Sequence, residues 1–192
     1  MYSDNLEIVK RTGHMYHGIK GAPELIRLIT LHIIHGYVPE YMHAICLGTG
    51  RNLFKAWCFR KNRGKPFYLG DKKAEMNARL KKMKPLSEIT RLIQNCDEDL
   101  NASQIENSLI YYSLPVLKGL LPEKYYQHLF LLVYGLSLCS KVNVNTDDMD
   151  KADRAFKKFV ADTETLYGKK FMTFNLHLLL HIVRYVRYWG PL

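Results

Sequence analysis

The stretch NTDDMDKADRAFKKFVADTETLYG, residues 145–168, is the strongest single statement of fold in this chain. Its apolar positions Met149, Ala152, Phe156, Phe159, Val160 and Leu166 recur at the three-to-four-residue spacing of one helical face. Asn145 or Thr146 can accept first-turn amides, Asp147, Asp148 and Asp150 suit the positive end of the helix dipole, and Gly168 is a helix stop. A helix over about 146–167 follows.

The same periodicity extends on both sides. A helix is expected to open at Pro122-Glu123, where proline fits a first turn, and to turn Tyr125, Tyr126, Leu129, Leu132, Val133 and Leu136 inward. Residues 105–117 read as another, bent or broken at Pro115, which has no amide to donate. The last helix spans about Phe174 to Tyr188 and stops at Trp189-Gly190-Pro191. Tyr41 to Trp57 reads as a helix carrying glycines at 48 and 50, and Asp71 to Met83 as a short basic helix capped by Asp71. Leu28 to Val38 suits either a short strand or a helix end, and Arg60 to Lys65 and Leu92 to Ser103 read as exposed loops. The expected fold is mainly α, with at most one or two short strands near the N-terminus.

The chain has 192 residues, a net charge of +10 and 47% hydrophobic residues, which suits one globular domain. All of the charge excess lies between Arg51 and Arg91, with 13 basic and three acidic residues; the remainder holds 15 of each. Cys46, Cys58, Cys96 and Cys139 form no C-x-x-C pair, so reduced thiols in a nuclear or cytoplasmic protein are expected. The N-terminus lacks the basic and apolar regions of a signal peptide, and the longest apolar stretch, Leu129 to Cys139, is too short to span a bilayer.

The basic segment is the principal functional signal. Arg51, Lys55, Arg60, Lys61, Arg63, Lys65, Lys72, Lys73, Arg79, Lys81, Lys82 and Lys84 interleave with Trp57, Phe59, Phe67 and Tyr68. That mixture can neutralise phosphates and offer rings for stacking, so DNA is the expected partner; a merely solvated face is the plainer alternative. Gly48-Thr49-Gly50 lacks the rest of a phosphate-binding loop and reads as a helix irregularity. The acids of 97–99 and 147–153 read as solvated or capping groups rather than a two-metal site.

His177 and His181 stand one helical turn apart, a separation that can chelate one metal ion. Glu40 and His43 form a second carboxylate and imidazole pair. Should the two helices touch, Glu40, His43, His177 and His181 make a four-ligand set suited to structural Zn2+, with Cys46 as a spare ligand. The alternative is a pair of hydrogen-bonded histidines flanking the apolar run 178–180.

Five ordered blocks carry a family resemblance: HGIKG at 17–21, EYMHA with LG at 40–48, YYSLPVLKG at 111–119, MTFNLHLLLH at 172–181 and WGPL at 189–192. Together they resemble animal transposases of the CACTA (En/Spm-like) type, over about residues 9–192. The resemblance implies an RNase H-like catalytic core with an inserted helical region, acting on DNA through metal-bound acids. It also implies that Glu40 with His43, and His177 with His181, support a zinc-stabilised fold.

The departures bear on activity. Where the family has aspartates, this chain has His32 and Glu40, and imidazole is a poor ligand for a hard cation. Against the family pattern the chain starts after the first catalytic aspartate and stops before a later glutamate. The expectation is one partial transposase-derived domain over 1–192, with a helix and basic segment at 40–91 and a helical bundle portion at 103–190. Its activity is expected to be residual non-specific DNA binding without strand transfer. The enzyme alternative is a nuclease using Glu40 as a catalytic carboxylate with Mg2+. A third reading is a helical module that pairs with a transposase subunit or a second copy of itself.

Overall fold

The longest helix, Thr146–Tyr167, begins with a reciprocal cap. Asn145 is extended, its side-chain oxygen accepts from the Asp148 amide at 2.7 Å, and the Asp148 carboxylate accepts from the Asn145 N–H at 3.5 Å. Two of the amides that a helix start leaves open are thereby satisfied. Lys141 holds the same carboxylate at 2.6 Å and, by that hydrogen bond, keeps its pKa below the ordinary range. Gly168, at φ 91°, ends the helix in a conformation that other residues avoid. Ala152, Phe156, Phe159 and Val160 are buried as the stripe requires, whereas Met149 and Leu166 are only half-buried.

The computed structural model describes residues 2–16, 20, 41–83 and 102–192. The chain divides into two compact units, Met1–Val38 and Pro39–Leu192. In the first, helix α1 runs over Tyr2–Thr12, and Gly13 at φ 68° closes it by donating to the Val9 carbonyl at 2.9 Å. The expected strand or helix end at 28–38 lies outside the described residues, as do Cys96 and the acids of 97–99.

The described residues of the second unit are mainly helical. A π-helical segment, Met42–Gly50, leads directly into α2, Arg51–Cys58. A basic loop follows, then a 3-10 turn at Gly70–Lys72 and α3, Lys73–Lys82. After the undescribed stretch come α4, Ala102–Asn107, a π-helical turn, Ser108–Tyr112, and α5, Ser113–Leu117. The sequence closes with α6, Glu123–Cys139, α7, Thr146–Tyr167, and α8, Phe174–Trp189. Among the described residues there is no β-strand, and no helix is long and apolar enough to cross a membrane.

Several boundaries differ from the sequence reading for physical reasons. Asp71 caps nothing: α3 starts two residues later, and Asp71 instead lies 3.8 Å from Arg63. The helical run 102–117 is irregular at 108–112 rather than at Pro115, which sits inside α5. A proline removes one bond from the ladder, and the wide π turn immediately before it is where that irregularity is absorbed. Gly48-Thr49-Gly50 is indeed a helix irregularity. A Cβ on Gly48 would lie 2.6 Å from the Asn175 amide nitrogen, and one on Gly50 2.9 Å from Ile105, so these glycines admit α8 and α4 against the π segment.

Leu129, Leu132 and Leu136 of α6, Phe156 and Phe159 of α7, Leu179 and Ile182 of α8, and Trp57 and Leu69 form one buried core. Cys46, Cys58 and Cys139 are buried thiols not joined in disulfides, and burial, assisted by Asp148, pushes the Cys139 thiol up to about 12. Gly135 lies at the α6–α7 contact, where an added Cβ would stand 2.6 Å from Phe156 Cε1. Gly135→Ala gains about 1 kcal/mol in helix propensity. The overlap with a buried aromatic ring costs roughly 1–3 kcal/mol and should outweigh it. The expected result is a lower urea midpoint; a midpoint that rises would show that the helices do not cross this closely.

Candidate nucleic-acid interface

The basic loop is built from the end of α2. Phe59 turns extended, and the Asn62 side chain donates to the Ala56 carbonyl at 2.9 Å, an acceptor that the helix end leaves open, and at 3.3 Å to the Lys55 carbonyl, which also accepts from the Phe59 N–H. Successive turns follow, with Arg63 N–H donating to Arg60 at 3.0 Å, Lys65 to Asn62 at 3.0 Å and Tyr68 to Lys65 at 3.0 Å. Gly64 at φ 85° allows the reversal. The Leu69 N–H donates to the Trp57 carbonyl at 2.6 Å and closes the loop, while Trp57, Phe67 and Leu69 are buried in the core. A compact surface loop with its ends joined and its apolar residues turned inward is a common carrier of function.

Within residues 58–68 there are four cations, Arg60, Lys61, Arg63 and Lys65, and no acid. All four are exposed. Arg63 and Asp71 are each about two-thirds exposed, so their contact at 3.8 Å contributes little and leaves the guanidinium accessible. Phe59 is 45% exposed, with Lys55 Nζ at 5.7 Å and Lys61 Nζ at 5.8 Å from its ring centre. Such contacts are worth about 0.5–1 kcal/mol each at an exposed site, and these are near the outer distance limit.

The twelve predicted DNA contacts therefore separate into groups. Arg60, Lys61, Arg63 and Lys65 share the loop, Lys81 and Lys82 are exposed at the end of α3, and Arg51 and Lys55 are half-buried on α2. Two others serve the fold: Arg79 donates to the carbonyls of Val116 at 2.9 Å and Lys118 at 2.7 Å and to Glu75 at 2.8 Å, and Lys72 donates to Leu120 at 2.9 Å. Those carbonyls lie at and just beyond the end of α5, where acceptors are left open, so these cations pin α3 against it. Lys73 is half-buried on α3, and Lys84 lies outside the described residues. Of the four rings expected to stack, Trp57 and Phe67 are core residues and Tyr68 is half-buried, which leaves Phe59.

The histidine pair is formed. His177 Nε2 and His181 Nε2 are 3.1 Å apart on the outer side of α8, and partial burial, then His177 and Arg184, hold the His181 pKa below its ordinary value. Two zinc–nitrogen bonds would span that gap at an angle of about 100°. Glu40 lies outside the described residues, and His43 is exposed on the π segment. Among the described residues no three histidines, cysteines or carboxylates converge to hold a metal.

Four acids of α7 form surface ion pairs: Asp147 with Lys151, Asp150 with Arg187, Asp153 with Lys157 and Asp162 with Lys158. A surface pocket of about 320 Å3 at the far end of α8, beside Val142, Met149 and Pro191, holds one cation, Arg187, and no nucleophile or carboxylate. No protein-family model, curated protein or solved structure matches the chain.

One titratable residue escaped the sequence reading. His128 is buried in α6, stacked on Phe159 with ring centres 4.1 Å apart, and its Nε2 donates to the Phe159 carbonyl at 2.9 Å with Thr163 Oγ1 at 3.2 Å. Burial lowers its pKa to about 4. The unfolded chain, with a histidine pKa of about 6.5, therefore binds more protons than the folded one between about pH 4 and 6.5. Stability from this residue is complete above about pH 6.5 and declines as pH falls to about 4, by at most about 1.4 kcal/mol per pH unit. Urea unfolding at pH 7 and pH 5 should show this loss in the wild type and a smaller one in His128→Gln; equal losses would refute the buried neutral imidazole.

Proposed function

We propose that this chain is a transposon-derived helical module that binds DNA without sequence preference and does not carry out strand transfer. The observation that carries the reading is the closed loop 58–68, which holds four exposed cations and no acid on a hydrogen-bonded, core-anchored frame. Guanidinium and ammonium groups there displace counterions from phosphates, an interaction indifferent to base sequence and sensitive to salt. The resemblance of the blocks at 17–21, 40–48, 111–119, 172–181 and 189–192 to CACTA-type transposases supports a DNA ligand over other polyanions.

Affinity for random duplex should fall by at least tenfold between 50 and 200 mM salt, in line with several phosphate contacts. Reversing Arg60, Lys61, Arg63 and Lys65 to glutamate should abolish binding with folding intact, because all four are exposed. Binding that ignores salt, or survives that reversal, refutes the reading. The nuclease alternative predicts plasmid nicking with Mg2+ that is lost in Glu40→Ala.

A second proposal concerns structure. The 3.1 Å separation of His177 and His181 Nε2 suits two ligands of a zinc ion, with Glu40 as a candidate third ligand. Zinc should raise the thermal midpoint of the wild type and leave His177→Ala unchanged. Equal shifts in both proteins would place zinc binding elsewhere.

A further inference from the structure

We infer that the basic loop prefers single-stranded DNA, with Phe59 as the platform on which one unpaired base stacks. The inference rests on the DNA-binding reading above and specifies its substrate.

Phe59 is an apolar ring, 45% exposed, in the most basic surface segment of the chain. Its backbone is fixed on both sides: its N–H donates to Lys55 at 3.1 Å, and its carbonyl accepts from Asn62 at 2.9 Å. The ring projects from a frame that is already ordered, so binding does not have to organise the platform. Trp57 and Phe67, neighbours in sequence, are consumed by the core, so the exposure of Phe59 is selective within the loop.

Lys55 and Lys61 hold their ammonium groups 5.7 and 5.8 Å from the ring centre. A base that covers one face displaces a weak cation–π contact and leaves that ammonium close to the phosphates flanking the stacked nucleotide. The cation therefore exchanges a ring for a charged oxygen. Arg60, Arg63 and Lys65 are exposed on the same loop and add positive charge for neighbouring phosphates. A duplex offers the same phosphates but keeps its base faces stacked within the helix, so Phe59 gains nothing from it. Stacking on an aromatic side chain raises single-strand affinity by roughly five- to 150-fold per base.

The test compares a labelled 20-nucleotide dT strand with a 20-base-pair duplex in fluorescence anisotropy, using the full chain. Wild type should bind the strand at least fivefold more tightly, and Phe59→Ala should lose about tenfold on the strand and less than twofold on the duplex. Its salt dependence should stay unchanged, because no charge is altered. Phe59→Trp should retain strand affinity and show quenching by dT beyond that of the wild type, a readout independent of how Phe59→Ala folds. If both DNAs bind and Phe59→Ala weakens neither selectively, or if the new tryptophan is not quenched, the platform is refuted while the DNA-binding reading stands. If neither DNA binds, both fail.

Discussion

The bond from the Leu69 N–H to the Trp57 carbonyl, 2.6 Å long, joins the two ends of the basic loop, and the residues around it are sealed in the core. Eleven residues with four cations and no acid repel one another and gain little by themselves from order. What holds them is the burial of Trp57, Phe67 and Leu69 beside Tyr125, Tyr167 and Phe171. The Trp57 indole donates to the Tyr167 hydroxyl at 3.3 Å, so the last turn of α7 takes part in fixing the loop. The charged surface and the hydrophobic core are thus one construction, and the loop's geometry depends on α6, α7 and the turn after α7.

The α3 helix is tied down by a related economy. Arg79 of α3 and Lys72 of the turn before it, although Lys72 stays exposed, commit donors to the carbonyls of Val116, Lys118 and Leu120 at 2.7–2.9 Å. A net charge places no residue, and a lysine or arginine that caps a neighbouring helix counts in it as fully as one that faces solvent. The local charge that matters for a polyanion is smaller than the sequence total and more tightly grouped.

Much of the helical plan was legible. Asn145, Asp148 and Gly168 mark α7 because capping and termination act through nearest neighbours, and the stripe of Ala152, Phe156 and Phe159 states which face is buried. Pro115 marks a break in the 105–117 ladder without stating that the turn before it, 108–112, absorbs it. The irregularity at 48–50 was legible in its two glycines, but its extension into a π segment over 42–50 was not, because that answers to tertiary contacts of Gly48 with Asn175 and Gly50 with Ile105. Asp71 was misread as a cap for the same reason, since α3 takes its start from the 3-10 turn at Gly70–Lys72 and its position from α5. Of the site, the basic segment was visible as composition, but its division into exposed loop and structural cations required the fold. Aromatic residues in a basic run do not declare whether they face water or core: Trp57 and Phe67 took the core, and Phe59 did not. His128 lies in an apolar helix with no partner in its own sequence neighbourhood; its contacts with Phe159 and Thr163 come from 31 and 35 residues away.

Residues 58–68 are the surface we propose to meet DNA. Hydrogen–deuterium exchange of the whole chain, with and without excess random-sequence DNA, tests that location directly. The predicted result is slowed exchange in the peptides covering Phe59 to Lys65, a smaller effect at the end of α3, and no change along α6. Protection confined to α8, or no difference anywhere at a DNA concentration that saturates binding, would contradict it.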